Sequence, residues 1–554
     1  MAKKFKKIKE KLKDFLKKNE LLYKIFFSVW GIWWIIRAKL IFRKIRHNPK
    51  KGDPKVLILA IRTIPTTNLV YFDAIFGHAF KKLGCDVKML YCDGVLDSCD
   101  ANTVFRNQRP QCFLCKTFNP FLKKSLNLDC LSYRQYISEA DIEEIKKKID
   151  GLNIQELLNY QYLGVNVSIH AKASTIRFFL SGQLDLNDPQ QLEMLKRKLV
   201  YAMITVKVAN EIFLKEIPTI IFMLHGIYST WGPFVDYFRN KNIDVIIYGN
   251  MPLRFGTFLF NRNGREYELM NEKTWNNFKQ IPLSDNEESQ LDYYLSARFK
   301  GAVGDQLMYK KNFTLISKKQ SLLRFLFNKR YSRRYILYPN LTWDACVEGR
   351  GSTIFKDIFS WIGTTIEYFQ KRREYQLVIK PHPAELIWEK GTKSITDYIS
   401  EKYPNLPENI VVLKPDTPLK AYDLITPDAI YLTFNGTIGL ELATQGVPVL
   451  VVGNSHYKDA GVVYKVNTLK EYLSLLDDPQ ELISFAKTNI KLAKKYAYFY
   501  FFKSMIQIPF YRKDKWSTID WRVVANTDKL LDENSNIIKI CQKIMKREDV
   551  VVPL

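Results

Sequence analysis

Short apolar runs alternate with polar turns and helical segments along most of the chain. VLILAI (56–61) and DVKMLY (86–91) have the length of buried strands, and the intervening segment has helical periodicity and ends at a glycine. TIIFMLHG (219–226) and DVIIYG (244–249) predict later strands, with a helix over YSTWGPFVDYFRNKN between them. This strand–helix–strand rhythm is typical of an α/β protein with a doubly wound parallel sheet.

A second series of strands begins after residue 330, with a predicted helix over 354–373. Its predicted strands are YILYP (335–339), QLVIK (376–380), IVVL (410–413), AIYLTF (429–434) and VPVLVV (447–452). The pattern therefore predicts two Rossmann-like domains that face a cleft. The predicted divisions are a basic amphipathic anchor (1–50), an N-terminal Rossmann-like domain (54–260) with a cysteine-containing insertion (92–135), a helical connection (261–330), a C-terminal Rossmann-like domain (331–480) and a helical tail (481–554).

The first 50 residues predict a membrane-binding segment. Residues 1–24 contain ten lysines, and apolar residues recur among them at helical spacing. The run IFFSVWGIWWII (25–36) is shorter than the roughly 20 apolar residues that span a bilayer. Its tryptophans favour the headgroup boundary. We interpret 1–50 as an interfacial anchor on an anionic leaflet; the alternative is a basic helix that packs on its own protein.

The length, hydrophobic content and net charge of the chain limit the classes of molecule that it can bind. A length of 554 residues with 47% hydrophobic residues indicates a globular protein of two or more domains. The net charge of +27 predicts an anionic partner, which is a nucleic acid, an acidic membrane or a phosphorylated substrate. No nucleic-acid module is recognisable and much of the charge accompanies the tryptophan-rich segment, so we expect no nucleic-acid partner.

Four of the eight cysteines are close in sequence. Cys112 and Cys115 have the Cys-x-x-Cys spacing of half a zinc site, whereas Cys92 and Cys99 are more widely spaced than is typical. A structural zinc bound by these four thiols and a set of ordinary reduced cysteines both remain open.

The segment YLTFNGTIGLELATQGVPVLVVG (431–453) contains a candidate ligand site. In open α/β sheets, ligands bind beyond the carboxyl ends of the strands. We expect Asn435 to cap the next helix, Gly436 to let a ligand approach the backbone and Thr437 to offer a hydroxyl. Glu441 lies one turn further on, where a carboxylate can hold the hydroxyls of a ribose. Helix capping alone is the structural alternative to this nucleotide site.

Two other turns near the same sheet suit an anion. VIKPHPAE places Lys380 and His382 after a strand, and the flanking prolines stiffen the backbone there. EGRGST (348–353) places Arg350 between glycines ahead of a helix. Together with the 435–437 turn, these segments predict a binding site for the diphosphate or phosphate of a nucleotide.

The sequence resembles a known family at the same residues. YPNLTWDA, KPHPAE, DTPLKAYDLI and NGTIGLELATQGVPVLVVGNSHYKDAG together resemble bacterial capsule and surface-polysaccharide biosynthesis proteins with the GT-B glycosyltransferase fold. The resemblance covers about 335–475. It implies that the carboxyl-terminal lobe binds an activated sugar nucleotide, with donor roles for His382, Thr437 and Glu441. Tyr457 is expected to line the donor sugar. Asn435 replaces the serine that is usual in relatives.

The resemblance implies a metal-independent glycosyltransferase at the cytoplasmic face of the bacterial inner membrane. Its acceptor would be a growing surface polysaccharide or a lipid-linked glycan. No Asp-x-Asp pair is present to hold a metal on the donor. For a general base, His225 and Asp93 follow predicted strands of the N-terminal domain. His170 and Arg177 are further candidates for which a structural role is favoured.

Three other functions remain open at this point. Teichoic-acid-type polymerases share the two-domain fold but transfer a polyol phosphate from a CDP donor. A nucleic-acid-binding protein would explain the positive charge. A non-catalytic capsule-assembly protein would keep the fold without the activity.

Overall fold

The two predicted sheets are present in the structure. The computed structural model describes residues 20–45, 54–64, 67–100, 102–104, 111–264, 272–309, 316–327, 331–344, 351–387 and 394–551. The strands are β1 (Lys55–Leu59), β2 (Asp86–Tyr91), β3 (Asp129–Ser132), β4 (Gln161–Tyr162), β5 (Val165–Asn166), β6 (Ile220–Leu224), β7 (Asp244–Met251), β8 (Thr257–Arg262), β9 (Arg333–Tyr338), β10 (Tyr375–Ile379), β11 (Ile410–Val412), β12 (Ala429–Thr433), β13 (Val449–Val451), β14 (Tyr464–Lys465) and β15 (Ile506–Gln507).

Helices flank both sheets. Those of the first half are α1 (Glu20–Phe42), α2 (Leu69–Lys82), α3 (Gln111–Phe118), α4 (Leu122–Leu126), α5 (Glu139–Asp150), α6 (Ile154–Asn159), α7 (Val167–Phe179), α8 (Pro189–Glu216), α9 (Tyr228–Asn240), α10 (Glu272–Phe278) and α11 (Asp285–Phe299). Those that follow are α12 (Gln306–Tyr309), α13 (Ile316–Leu326), α14 (Ile358–Gln370), α15 (Ala384–Ile387), α16 (Ile395–Lys402), α17 (Ile438–Ala443), α18 (Leu469–Asp477), α19 (Gln480–Thr488), α20 (Ile490–Tyr498), α21 (Trp521–Ala525), α22 (Thr527–Leu530) and α23 (Asn536–Met545).

Each sheet forms the centre of one lobe. The N-terminal sheet has the order β15-β8-β7-β6-β1-β2-β3 and is parallel from β7 to β3. The C-terminal sheet has the order β11-β10-β9-β12-β13-β14 and is parallel throughout. Successive residues of β1 enter different cores, with Val56 on one side and Leu57 on the other. The strand sequences are continuous apolar runs because both faces of the sheet are buried.

The nine predicted strands are confirmed, whereas six others were missed, and three of these six belong to the N-terminal sheet. β3 lies inside the predicted insertion, where it pairs parallel with β2. β8 is antiparallel to β7 and extends past the predicted boundary at 260. β15 comes from the predicted helical tail and pairs antiparallel with β8. The insertion and the tail are therefore partly built into the N-terminal sheet.

The tail divides its packing between the two lobes. Tyr496 and Phe501 belong to the core of the C-terminal lobe. Ile537 and Ile544, on α23, pack into the N-terminal core that also contains α2. Residues 481–554 contain helices, as the sequence predicted, and they also complete the packing of both sheets.

The N-terminal helix is longer than the apolar run that predicted it. α1 has 23 residues, and Leu21–Phe42 is long and apolar enough to cross a membrane by length and composition. The prediction that the apolar segment is too short to span a bilayer is therefore wrong, because the helix continues beyond 25–36 on both sides. The lysine-rich amphipathic stretch before residue 20 lies outside the described residues.

A buried carboxyl group in the N-terminal core predicts a pH dependence of stability. Burial raises the pKa of Asp73, on α2, to about 8, although the Tyr248 hydroxyl donates a hydrogen bond of 2.6 Å to its Oδ1 and opposes that rise. The unfolded carboxyl group ionises near pH 4. The contribution of Asp73 to stability is therefore complete below pH 4 and is lost as the pH rises towards 8.

We expect Asp73→Asn to remove this dependence, because asparagine keeps the acceptor for Tyr248 and has no proton to lose. The stability difference between the variant and the wild type should grow by about 1.4 kcal/mol per pH unit between pH 4 and 8. Denaturant unfolding at several pH values measures it. A difference that stays constant across this range would contradict the buried-carboxyl explanation.

Candidate functional site

One pocket lies at the carboxyl ends of three adjacent strands of the C-terminal sheet. Asn340 follows β9, Lys380 and His382 follow β10, and Gly436 and Thr437 follow β12. Further lining residues come from other segments and include Leu253, Arg298, Asp305, Asp344, Lys420, Tyr422 and Glu441. Leu253 belongs to the β7–β8 connection of the N-terminal lobe, so the pocket opens where the two lobes meet. Five of the eight residues predicted to bind the donor therefore line one pocket.

Lys380 is a buried cation at this pocket. Its backbone N–H donates to the Leu337 carbonyl, which extends the ladder between β9 and β10, and its Nζ donates to the Pro381 carbonyl at 3.0 Å. Among the residues that the structure describes, no carboxylate lies within ion-pair distance of Nζ. Burial lowers the pKa of Lys380 to about 8 despite the attraction of Glu385. An anion in the pocket would supply the missing counter-charge.

Pyrophosphate binding should therefore weaken as the pH rises through about 8. The bound anion favours the ammonium form of Lys380, so the affinity is expected to fall by up to about tenfold per pH unit above that value. Calorimetric titration between pH 7 and 9.5 measures this slope. The Lys380→Met variant should bind more weakly and lose the slope. An unchanged slope in the variant would show that a titratable group other than Lys380 causes the pH dependence.

His382 is a neutral hydrogen-bond donor. Its Nδ1 accepts a hydrogen bond of 3.1 Å from the Ala384 backbone N–H. Burial lowers the pKa of the ring to about 4, and the Lys380 charge adds to this effect. A neutral ring whose Nδ1 accepts a hydrogen bond carries its proton on Nε2. Lys380 and His382 thus provide a cation and an N–H donor on one turn, which suits a phosphate group.

The Tyr457 side chain supports the 435–437 turn from the protein interior. The Tyr457 hydroxyl donates to the Gly436 carbonyl at 2.6 Å, and the ring is fully buried. The prediction that Tyr457 lines the donor sugar is therefore wrong, because this side chain supports the turn. Asn435 does not cap the helix either: Thr437 is the N-cap residue of α17 and makes no side-chain capping bond. The Asn435 backbone N–H instead donates to Asn340 Oδ1.

Gly436 lines the pocket, and an added methyl group there would make no close contact with the protein. A Cβ at this position would approach Asn340 Oδ1 at 3.4 Å, an ordinary contact. We expect Gly436→Ala to leave the thermal unfolding temperature unchanged and to weaken nucleotide binding about tenfold by obstructing close backbone approach.

Gly439→Ala is the contrasting variant. Its Cβ would lie 2.3 Å from the Tyr457 hydroxyl, so this substitution should lower thermal stability by disrupting the support of the turn. Wild-type nucleotide affinity of Gly436→Ala would show that no ligand approaches this backbone.

Glu441 belongs to a buried network. Its Oε1 accepts a hydrogen bond of 2.8 Å from Arg298 Nε, and its Oε2 accepts one of 2.6 Å from the Tyr422 hydroxyl. Arg298 Nη1 also contacts Asp305 Oδ1 at 2.9 Å. Burial raises the pKa of Glu441, and Arg298 and Tyr422 oppose that rise. Glu441 therefore fixes the pocket wall through Arg298 and Tyr422, and its role in holding ribose hydroxyls stays a prediction.

Arg350, the remaining predicted donor residue, lies outside the described residues. Sequence reasoning missed Arg298, Asp305, Asn340 and Tyr422. Asn340 and Tyr422 lie within two of the segments that carried the family resemblance, so a signal for them existed. Arg298 and Asp305 precede the second series of strands, where no pattern marked them.

The predicted general bases lie apart from this pocket. The Nδ1 of His225 accepts a hydrogen bond from the Ile227 N–H at 3.1 Å, and burial together with Arg177 lowers the pKa of the ring to about 4. This ring is therefore an N–H donor in the structure, not a base. Asp93 Oδ1 accepts from Asn119 Nδ2 at 3.2 Å, and its Oδ2 lies 3.9 Å from Arg134 Nε. Neither residue lines the pocket described above.

His170 and Arg177, the two further candidates for a catalytic role, have different surroundings. His170 Nε2 lies 2.7 Å from Asp236 Oδ2, and the ring fills the space beside Gly232, which fits the structural role favoured by the sequence. Arg177 stacks over the Trp343 ring at 4.9 Å and thereby connects α7 to the loop that contains Asp344. Arg177 therefore joins the N-terminal lobe to the edge of the pocket.

The four cysteines of the predicted zinc site are described by the structure. Cys92, Cys99, Cys112 and Cys115 all lie in described segments and are free thiols. Across the described segments, no group of three or more His, Cys, Asp or Glu side chains is placed to hold a metal ion. Cys92 and Cys112 both direct their thiols at the Leu96 carbonyl, at 3.9 and 3.8 Å. The geometry gives the zinc prediction no support.

Comparison with known proteins matches the part of the chain that supplies most of this pocket. Residues 310–501 match the family described as "Capsule polysaccharide biosynthesis protein". This range contains every residue predicted to bind the donor. No curated protein matches the chain.

Solved structures that match parts of this chain include two from Thermosulfurimonas dismutans. KpsC, beta Kdo 2,4 transferase, has 11% identity and a TM-score of 0.33, over 58% of this chain and 93% of that one. KpsC, beta Kdo 2,7 transferase, has 14% identity and a TM-score of 0.28, over 53% and 79%. A Neisseria meningitidis UDP-GlcNAc 2-epimerase bound to UDP-GlcNAc has 11% identity and a TM-score of 0.22, over 80% and 98%.

The family match and the two doubly wound lobes agree with the expectation from sequence. Residues 310–501 are therefore similar to capsule polysaccharide biosynthesis proteins, and the chain has two lobes built on doubly wound, largely parallel sheets.

Proposed function

We propose that this protein is a glycosyltransferase. It moves a sugar from a nucleotide-activated donor to a growing surface polysaccharide or a lipid-linked glycan. One observation carries the proposal: Lys380, His382, Gly436 and Thr437 converge on one pocket at the carboxyl edge of β10, β9 and β12. That edge is where open α/β sheets bind nucleotides, and the pocket opens towards the other lobe.

The reaction would break the bond between the donor sugar and its phosphate while an acceptor hydroxyl forms the new glycosidic bond, and the departing phosphate would take the proton of that hydroxyl. Negative charge develops on the leaving phosphate as the bond breaks. The Lys380 ammonium and the His382 Nε2–H would stabilise that charge without a metal, since both are already held in place by the β10 turn. Arg298 and Glu441 would keep the opposite wall rigid.

The acceptor would approach from the N-terminal lobe. Arg177 and His225 lie on that side, and Arg177 contacts the loop that contains the pocket residue Asp344. In this proposal His225 donates a hydrogen bond to the acceptor. Asp93 takes no part, because its carboxylate is bonded to Asn119. The enzyme would act as a peripheral protein at the cytoplasmic face of the inner membrane, with α1 as its membrane-binding element.

A thermal-shift screen against UDP, GDP, CDP and CMP tests the pocket first. A nucleotide present at a hundred times its Kd should stabilise the fold by about 2.7 kcal/mol. Labelled nucleotide sugars and CDP-polyols, incubated with membranes and the protein, then identify the transferred group. Transfer of a polyol phosphate would show that the protein is a teichoic-acid-type polymerase and not a glycosyltransferase. Absence of any nucleotide-induced shift would overturn both.

A further inference from the structure

One side of α1 presents apolar side chains to solvent along its whole length. Val29 is 65% exposed, and the neighbouring positions at helical spacing are exposed as well. The exposed apolar side chains of this side are Leu21, Ile25, Phe26, Val29, Trp30, Ile32, Trp33, Ile36 and Leu40. A water-facing helix would carry polar residues at these positions. An apolar surface of this extent indicates an interaction site.

The opposite side of α1 packs on the N-terminal lobe from end to end. Phe27 contacts the small cluster around Leu114 near the start of the helix. Trp34, in the middle, packs against Trp521 at a ring distance of 4.7 Å. Ala38 and Phe42, near the end, are buried in the N-terminal core. To span a bilayer, α1 would have to leave all of these contacts.

The cysteine-containing insertion runs alongside α1 in the same direction. Lys24 Nζ lies 5.3 Å from the Phe113 ring centre, near the start of the helix. Phe118 fills the space at Gly31, where a Cβ would come within 2.3 Å of its ring. Asn127 Nδ2 donates to the carbonyls of Phe42 and Ile45, at 3.2 and 2.8 Å. Residues 111–127 therefore accompany the helix over its entire length.

The insertion extends the exposed apolar surface and adds positive charge. Phe113 is 40% exposed and Phe121 is 53% exposed. Lys116 on α3 and Lys124 on α4 are exposed, and Lys39, Arg43 and Lys44 are exposed near the end of α1. Lys123 is the exception, because it pairs with Asp129 at 2.8 Å. Aromatic side chains bordered by lysines match the interface between acyl chains and anionic headgroups.

We infer that α1 and residues 111–127 form one membrane-docking surface that lies in the plane of an anionic leaflet. The helix has the length to span a bilayer, but its packing holds it side-on, with one face on the protein and the other in lipid. The insertion is then the second half of the anchor. This inference does not depend on the catalytic proposal.

Vesicle flotation of the full chain with Phe113→Asp/Phe121→Asp tests the role of the insertion. Because the transfer of each phenylalanine from water into lipid is favourable, the double variant should bind phosphatidylglycerol-containing vesicles at least about tenfold more weakly. Binding of the wild type should also weaken on phosphatidylcholine alone. Leu214→Asp is the matched control, since Leu214 is 62% exposed on α8, and should bind like the wild type.

Wild-type binding by the double variant would overturn the inference, because a spanning helix needs no help from the insertion. Phe113→Ser/Phe121→Ser provides a second, milder pair should the aspartates reduce folding, which thermal unfolding detects. Sedimentation in the absence of vesicles tests whether a second copy of this chain, and not lipid, covers the surface. A wild-type dimer that the double variant dissociates would assign the face to a second copy of this chain and overturn the membrane assignment.

Discussion

Replacing His382 with alanine is expected to lower the transfer rate by about a hundredfold, the usual cost of losing one preorganised donor to a developing anion. The ring is neutral and carries its proton on Nε2 because Nδ1 accepts from Ala384. The effect should fall on kcat more than on KM if the N–H bond strengthens as the phosphate leaves. Steady-state kinetics with the donor identified by the thermal-shift screen would measure both constants.

His382→Gln is the matched control for this prediction. A glutamine amide can accept from the Ala384 N–H and still offer an N–H donor, so part of the lost rate should return. The fold of both variants should remain intact, since His382 lies at a pocket and not in a core cluster. Equal rates for wild type and alanine variant would remove His382 from the reaction.

Glu441→Ala is expected to reduce the free energy of unfolding by about 3 kcal/mol and to abolish activity. The carboxylate is 1% exposed and compensates the buried Arg298 guanidinium at 2.8 Å. Removing it leaves Asp305 to balance the charge of Arg298 and deprives the Tyr422 hydroxyl of its acceptor. Denaturant unfolding followed by fluorescence measures the loss.

Glu441→Gln separates charge from shape at this position. The amide retains one acceptor oxygen for Tyr422 or Arg298 but not the negative charge, so its stability should fall between those of wild type and Glu441→Ala. Addition of nucleotide should protect both variants less than the wild type, because the pocket wall is less rigid. A fully stable Glu441→Ala protein would contradict the network described here.

The sequence predicted the strands well because each is a short apolar run that is buried on both faces. β1, β2, β6, β7, β9, β10 and β12 lie where those runs lie. β3 and β15 escaped prediction because each is short and lies among turn residues or aromatic helical sequence. Their strand conformation depends on an open edge of the sheet that is provided by β2 and β8, far away in the chain.

The site was predictable in position but not in chemistry. Parallel strands end at the same edge, so turns after β10 and β12 had to be neighbours once the sheet was recognised. The partners of Glu441 were not predictable, because Arg298 is 143 residues away and belongs to a helix of the connection. The proton position on His382 and His225 likewise depends on backbone N–H groups whose direction only the folded turn fixes.

The sequence by itself therefore determined two doubly wound sheets, an apolar N-terminal helix and the turns that converge at one edge of the C-terminal sheet. These features follow from local periodicity and from the geometry that all parallel sheets share. The tertiary structure decided which carboxylate is bonded, which histidine nitrogen carries a proton, and that the tail and the insertion complete the N-terminal lobe. Those properties arise from contacts between distant segments, and no local pattern encodes them.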